Sequence, residues 1–305
     1  MNISLRWPLH PAPVEGEALS PWLCRVAACY EMDLMDLLLY EWGKRQIIDL
    51  DIRPPDGFLE TIASRSGIDL NTLRCMTIVG WVPWLIDSFD LDGDSFNCYV
   101  NQFSVLLPKK FRLMRTAPGW RAWLPQTIYQ RVCPVCLSKS IEKPIYKLAW
   151  QLPLFVSCPV HGCWLELVRG YSDNFHSSVD RGSLPRAADQ VITKMDRYTE
   201  QAFTTGYVNL PRRNIHAGLW YRLLRTLIEE ISTPVTRCGA QSKTLKKIWS
   251  SLGYSLRAGK LYWQPFEILE PAVQVQFLEA AATTLSYDRN PRNKSLGDIR
   301  LFIVT

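Results

Sequence analysis

Cysteine spacing constrains this 305-residue chain more tightly than any other feature. Cys133-Pro134-Val135-Cys136 is followed, after 21 intervening residues, by Cys158-Pro159-Val160-His161. Two ligands separated by two residues share one tight turn and present their donor atoms on the same side, and a second such knuckle completes a tetrahedron. Three thiolates and an imidazole suit Zn2+ at about 2.0 to 2.3 Å, and the gap between the knuckles is close to that of zinc ribbons. Four protein ligands leave no open coordination position. The spacing therefore predicts one structural zinc ion on Cys133, Cys136, Cys158 and His161, ordering a segment too small to fold by itself. Cys163, two residues beyond the histidine, is the rival ligand. A Cys/His nucleophilic pair would leave the doubled spacing unexplained, and redox use of Cys133 and Cys136 lacks a surrounding βαβ pattern. Cys24, Cys29, Cys75, Cys98 and Cys238 have no partner at knuckle spacing and read as buried thiols.

Composition excludes several classes. With 47% hydrophobic residues, 21% charged and 12 tryptophans, the chain has the makings of packed cores, and its length suits two or three units. The apolar runs, such as residues 33–40 and 302–304, fall far short of the roughly 20 residues that cross a bilayer. The first twenty residues lack a secretory pattern, so a cytosolic address is expected, where a disulfide framework is out of place. No Gly-x-x-x-x-Gly-Lys-Ser/Thr loop, His-Glu-x-x-His helix or Gly-x-Ser-x-Gly elbow occurs, so nucleotide hydrolysis, zinc proteolysis and the usual hydrolase chemistry lack their parts. Scattered carboxylates leave a metal-dependent nuclease as the enzymatic alternative.

The net charge of +6 is unevenly placed. Basic against acidic residues number 12 to 15 over 1–130, 5 to 4 over 131–180, and 18 to 10 over 181–305. The C-terminal excess favours an acidic partner such as nucleic acid, with a solvated basic face as the plainer reading.

Helical patterning dominates. After a leader with Pro8, Pro11 and Pro13, a first helix is expected to begin near Ser20-Pro21, serine capping and proline in the first turn, with Leu23, Val26, Ala27 and Tyr30 at helical spacing. A second covers about Asp33 to Trp42, its stripe made by Leu34, Leu37, Leu38 and Glu41. Residues 59–76 read as a helix-turn-helix: Ala63 permits close approach, Gly67 takes the turn, Ile62, Ile68, Leu73 and Met76 fill the shared core, and Asp69 caps the second helix. That leaves Asn71, Thr72, Arg74 and Cys75 on or near the outward face, where DNA contact competes with an ordinary helical hairpin. Residues 95–130, including Trp120, read as a connector whose Lys109, Lys110, Arg112 and Arg115 form a short basic run. Tyr146 and Trp150, four apart, are expected to pack beside the metal site.

These residues resemble the TniQ proteins of transposons. The resemblance rests on Glu17-Ala18-Leu19-Ser20-Pro21-Trp22-Leu23-Cys24-Arg25-Val26-Ala27, on Arg131-Val132-Cys133-Pro134-Val135-Cys136-Leu137, and on Tyr146 through Trp150 to Cys158-Pro159-Val160-His161-Gly162, together about the first 170 residues. It implies a noncatalytic target-selection adaptor in DNA transposition. Such an adaptor links a DNA site or a guide-RNA effector of CRISPR type to a TnsC-like AAA+ ATPase regulator, and so to the transposase; a homodimer is also compatible with it. On the resemblance, Cys133, Cys136, Cys158 and His161 correspond to the family's first zinc site. Many members carry a further Cys-x-x-Cys pair soon after the histidine, and residues 165–175 hold none. The rival binding-module reading is a stand-alone helix-turn-helix regulator that reads a defined DNA site.

The expected architecture is mainly α: an N-terminal helix-turn-helix unit over 1–130, a zinc-ribbon-like knuckle module over 131–175 and a basic helical domain over 176–305. In the last, Ile215, Leu219, Leu223, Leu227 and Ile231 recur every four residues as a core stripe, with Arg222, Arg225, Glu229 and Glu230 off it. Lys243, Lys246 and Lys247 precede Trp249 as an aromatic-edged basic patch for nucleic acid, and Arg212 and Arg213 are similar candidates. Arg289, Arg292, Lys294 and Arg300 fall in a polar tail.

Overall fold

The computed structural model describes residues 6–45, 47, 50–81, 120–124, 131–139, 145–167, 184–256 and 264–287, and these are mainly helical with a few short strands. Backbone contacts group the chain into two compact units, the first within 1–82, 129–151 and 163–186, the second within 83–128, 152–162 and 187–305.

The first unit opens with α1 (Leu19–Ala28) and α2 (Leu34–Trp42). Leu34, Leu37 and Leu38 form the buried stripe of α2, and the Asp33 carboxylate caps it by accepting the Asp36 amide at 2.8 Å. The start of α1 departs from expectation. Its N-cap is Ala18, without a side-chain cap, and Ser20 lies within the first turn. A buried carboxylate captures that serine instead: the Ser20 amide and hydroxyl each donate to Asp51 at 2.6 Å, and Gln151 Nε2 donates to Asp51 Oδ2 at 2.8 Å. Burial pushes the Asp51 carboxyl above its ordinary value, against these hydrogen bonds, which lower it.

Glu17 does similar work one turn earlier. It is wholly buried, pairs with Arg25 Nε at 2.9 Å, and accepts the Val14 amide at 3.0 Å. The Pro-rich leader is thereby laid on the helices: Trp22 Nε1 donates to the Pro11 carbonyl at 2.9 Å and Arg25 Nη2 to the Ala12 carbonyl at 2.7 Å. Trp7 Nε1 donates to Glu41, which also pairs with Arg65. Two further helices follow, α3 (Phe58–Ser66) and α4 (Leu70–Cys75). Gly67 stands between them at φ +73°, a left-handed value that a Cβ would strain, and its amide closes α3 on the Ala63 carbonyl at 2.7 Å. Asp69 caps α4 through the Thr72 amide. Ile62, Leu73 and Met76 are buried with the leucines of α1 and α2. Cys75 is exposed, and Cys24 and Cys29 are half-buried, so the expectation of buried thiols holds among this group for Cys238 alone; Cys98 lies outside the described residues.

Between these helices and the C-terminal part come β1 (Arg131–Val132), α5 (Pro134–Lys139), β2 (Ser157–Cys158), β3 (Cys163–Trp164) and β4 (Glu166–Leu167). β1 pairs antiparallel with β4, Arg131 opposite Leu167 and Val132 opposite Glu166. Tyr146 and Trp150 are buried, and the segment carrying them is tied to the α1 leader: the Ala18 amide donates to the Tyr146 carbonyl and the Leu148 amide to the Gly16 carbonyl, each at 2.9 Å.

The second unit contains α6 (Gln190–Thr205), the hairpin β5 (Tyr207–Asn209) and β6 (Asn214–His216), α7 (Ala217–Ile231), α8 (Ser242–Ser251) and α9 (Pro271–Tyr287). α9 packs on α6, α7 and α8. Three expectations are corrected here. The every-fourth stripe holds on α7 at Leu223, Leu227 and Ile231 and fails at Leu219, because steps of four residues advance 400° and drift about 40° each time. Ile215 lies on β6, Leu219 is 52% exposed, and the buried face carries Trp220, Tyr221, Leu224 and Ile228 beside Leu223, Leu227 and Ile231. Trp249 edges no surface patch. It is buried, donates to the Ile231 carbonyl at 3.1 Å and meets Phe277 edge-on. Residues 120–124, expected as connector, supply core tryptophans: Trp120 and Trp123 are 7% and 0% exposed.

Those tryptophans surround a buried ion pair. Arg225, expected off the stripe, is 2% exposed, bonds Glu267 and lies 3.8 Å from the Trp123 ring centroid. Glu267 also accepts Trp120 Nε1 at 3.0 Å and the Trp123 amide at 2.7 Å. Removing one partner of such a pair strands a buried charge. Glu267→Ala should cost about 3 to 5 kcal/mol of stability in urea titrations. Adding Arg225→Met should restore only part of that loss, because the Trp120 indole and the Trp123 amide would still lack their acceptor.

Candidate metal centre

Cys133 ends the β1 segment and immediately precedes α5, whose first residue is Pro134. Proline suits that position because its missing N–H needs no partner there. The resulting turn brings the Cys136 amide to 3.4 Å from Cys133 Sγ and the Leu137 amide to 2.9 Å from the Cys133 carbonyl. The second knuckle follows β2. Gly162, at φ +61°, donates its amide to the Cys158 carbonyl at 2.8 Å, and this reversal sets His161 Nδ1 3.5 Å from Cys158 Sγ.

The ligand atoms of Cys133, Cys136, Cys158 and His161 all lie within 4.8 Å of one another. Tetrahedral Zn2+ with sulfur at about 2.3 Å and nitrogen at about 2.0 to 2.1 Å puts neighbouring S and N donors about 3.5 Å apart, which the Cys158–His161 separation matches. The donor set therefore fits a metal ion. Cys133 and Cys158 are buried, while Cys136 and His161 are half-buried. Cys163 is buried with Sγ 3.6 Å from Cys133 Sγ, but stands outside the converging set.

Sequence reasoning missed the residue that braces the second knuckle. Asp196, on α6, is completely buried, and its Oδ2 accepts the Ser157 amide at 2.7 Å, the Ser157 hydroxyl at 2.6 Å and the Val156 amide at 3.3 Å. The next residue, Arg197, reaches the Pro159 carbonyl at 3.4 Å. Asp196 thus holds the strand that carries Cys158. It lies 39 residues from Ser157 in sequence, so no local spacing announces it. Outer groups of this kind typically tune metal affinity by about 10- to 100-fold. Asp196→Ala should weaken metal retention by that order in competition with a chromophoric chelator, without removing any of the four donors.

The residues proposed from sequence for nucleic acid lie on several elements. Asn71, Thr72 and Arg74 are exposed on α4, and Arg74 Nη2 stands 4.0 Å from Glu60 Oε1 in a solvated pair of little energetic weight. Arg212 and Arg213 are exposed in the β5–β6 turn. Lys243, Lys246 and Lys247 are exposed on α8, whose Leu245, Ile248 and Trp249 face inward. Lys109, Lys110, Arg112 and Arg115, with Arg289, Arg292, Lys294 and Arg300, lie outside the described residues. No helix among the described residues is long and apolar enough to cross a membrane.

Comparison with known proteins gives one result. Neither curated proteins nor solved structures yield a match. The TniQ family model matches residues 8–165, just over half of the chain, from the Pro-rich leader through all four converging donors. With that span matched and those donors gathered, the chain belongs to the TniQ family and is a transposition-associated protein.

Proposed function

We propose that this protein is a noncatalytic target-selection adaptor in DNA transposition, bridging a DNA site or a guide-RNA effector to an AAA+ ATPase regulator and through it to the transposase. The observation that carries this reading is the family match, which begins at the leader and includes the complete four-donor cluster. Four donors from the chain saturate a tetrahedral ion, so a Zn2+ there stabilises structure and offers no position for substrate or water. In this role Cys133, Cys136, Cys158 and His161 hold the zinc-ribbon-like module, and the exposed cations of α4, the β5–β6 turn and α8 supply the polyanion contacts. The expected boundaries near residues 130 and 175 separate that module from helical parts that meet different partners.

A second reading draws on α3 and α4. Their tight turn at Gly67 and exposed Asn71, Thr72 and Arg74 suit a helix-turn-helix regulator that binds one DNA sequence without help. Binding assays with and without the ATPase separate the two. An adaptor gains affinity for its target assembly when the ATPase is supplied, whereas a regulator binds one duplex tightly alone.

Native mass spectrometry should find one zinc per chain, and Cys136→Ser should lose it together with thermal stability; a stable, metal-free wild-type protein would remove the structural-zinc assignment. Replacing Lys243, Lys246 and Lys247 with alanine should weaken nucleic-acid binding and flatten its dependence on salt by about 0.9 in log–log slope for each duplex phosphate no longer neutralised. An unchanged slope would mean that α8 touches no phosphate.

A further inference from the structure

Trp249, which follows the C-terminal lysines, is buried, and a solvent-facing aromatic stands on the β5–β6 hairpin. The strand register is Tyr207 opposite His216, Val208 opposite Ile215 and Asn209 opposite Asn214. Alternation sends Val208 and Ile215 into the core and leaves Tyr207, Asn209, Asn214 and His216 on the outer face, all four exposed. Tyr207 is 55% exposed. Its ring meets the His216 ring edge-on at 5.5 Å, which orients the tyrosine without burying it. His216 is itself anchored, since Nδ1 accepts the Gly218 amide at 3.2 Å as the N-cap of α7.

Arg212 and Arg213 are exposed at the tip, and from residue 201 to residue 228 the chain carries no Asp or Glu. Two asparagine carboxamides between the rings and the arginines add donors and acceptors that tolerate any base edge. An oriented, exposed aromatic beside exposed guanidinium groups is the combination that takes unpaired nucleotides: bases stack on the ring while phosphates meet the cations. The ring asks for an unstacked base face, which a duplex hides.

We infer that the outer face of the β5–β6 hairpin holds single-stranded DNA, with a base stacked on Tyr207 and flanking phosphates on Arg212 and Arg213. The choice of DNA over other polyanions rests on the transposition reading above. The surface itself lies beyond residue 165, outside the part of the chain that defines the family.

Fluorescence anisotropy with a labelled thymidine oligonucleotide and the full-length, zinc-loaded protein tests this. Tyr207→Ala should weaken binding by about 5- to 150-fold, the range for losing one base–aromatic stack, and Tyr207→Phe should retain wild-type affinity. Arg212→Ala with Arg213→Ala should reduce the log–log salt slope by about 1.4, two single-strand phosphates' worth. An oligonucleotide containing 5-iodouracil should photocrosslink to Tyr207. Wild-type binding by Tyr207→Ala, or tighter Tyr207-dependent binding of the matching RNA or duplex, overturns the proposal. So does a Tyr207→Ala variant that loses an ATPase partner while keeping its oligonucleotide, which would make the face a protein interface. Oligonucleotide binding abolished with ATPase capture intact supports the hairpin assignment, and the adaptor reading fails separately if the wild-type protein captures no ATPase.

Discussion

A carboxylate removed from water must be surrounded by donors, and this chain uses that requirement repeatedly to join segments far apart in sequence. Asp51 gathers the amide and hydroxyl of Ser20 and the carboxamide of Gln151, so one side chain ties the first helix to a segment 100 residues away. Glu17 fastens the leader to α1 through Arg25. Asp196 fixes the strand before Cys158, and Glu267 collects Arg225 and two tryptophan residues. Desolvation opposes each of these arrangements, raising the carboxyls of Glu17 and Asp51 above their ordinary values. Each is stable only because several donors converge on it at once, so these sites define geometry more than they add net stability.

The converging metal donors inherit that geometry. A ligand set closes only when both knuckles are held at once, and backbone turns supply the local part: Pro134 after Cys133, Gly162 after His161. The remaining alignment of the second knuckle comes from α6 through Asp196 and Arg197. A TniQ chain built this way spends several of its buried ionisable groups on architecture, while the cations of α4, the β5–β6 turn and α8 face solvent.

Short-range features were legible in the sequence. Ligand pairs two residues apart, the Asp69 cap, the buried stripe of α2 and the turn at Gly67 are all decided within about four residues, where backbone geometry dominates. What was not legible depends on contacts made across long separations. Ser20 carries the chemistry of a cap but is claimed by Asp51; Trp249 follows three lysines but is drawn inward by Phe277 and the Ile231 carbonyl. Arg225 reads as a surface residue until Glu267 and the rings of Trp120 and Trp123 enclose it. The strict four-residue repeat on α7 found the buried Leu223, Leu227 and Ile231 but also took in the exposed Leu219, since the helix turns slightly more than once in that interval.

The leader's composition carries one more consequence. Proline has no amide hydrogen, so the stretch around Pro11 and Pro13 offers mostly acceptors, and the structure uses them: the Pro11 and Ala12 carbonyls receive the Trp22 indole and the Arg25 guanidinium. A recombinant fragment cut to start at α1 would take the Trp22 indole and the Arg25 guanidinium from their protein acceptors and open the buried face of Trp22 to solvent. The stiff, donor-poor strap is thus an integral wall of the helical layer, and any excised version of this domain has to carry it along.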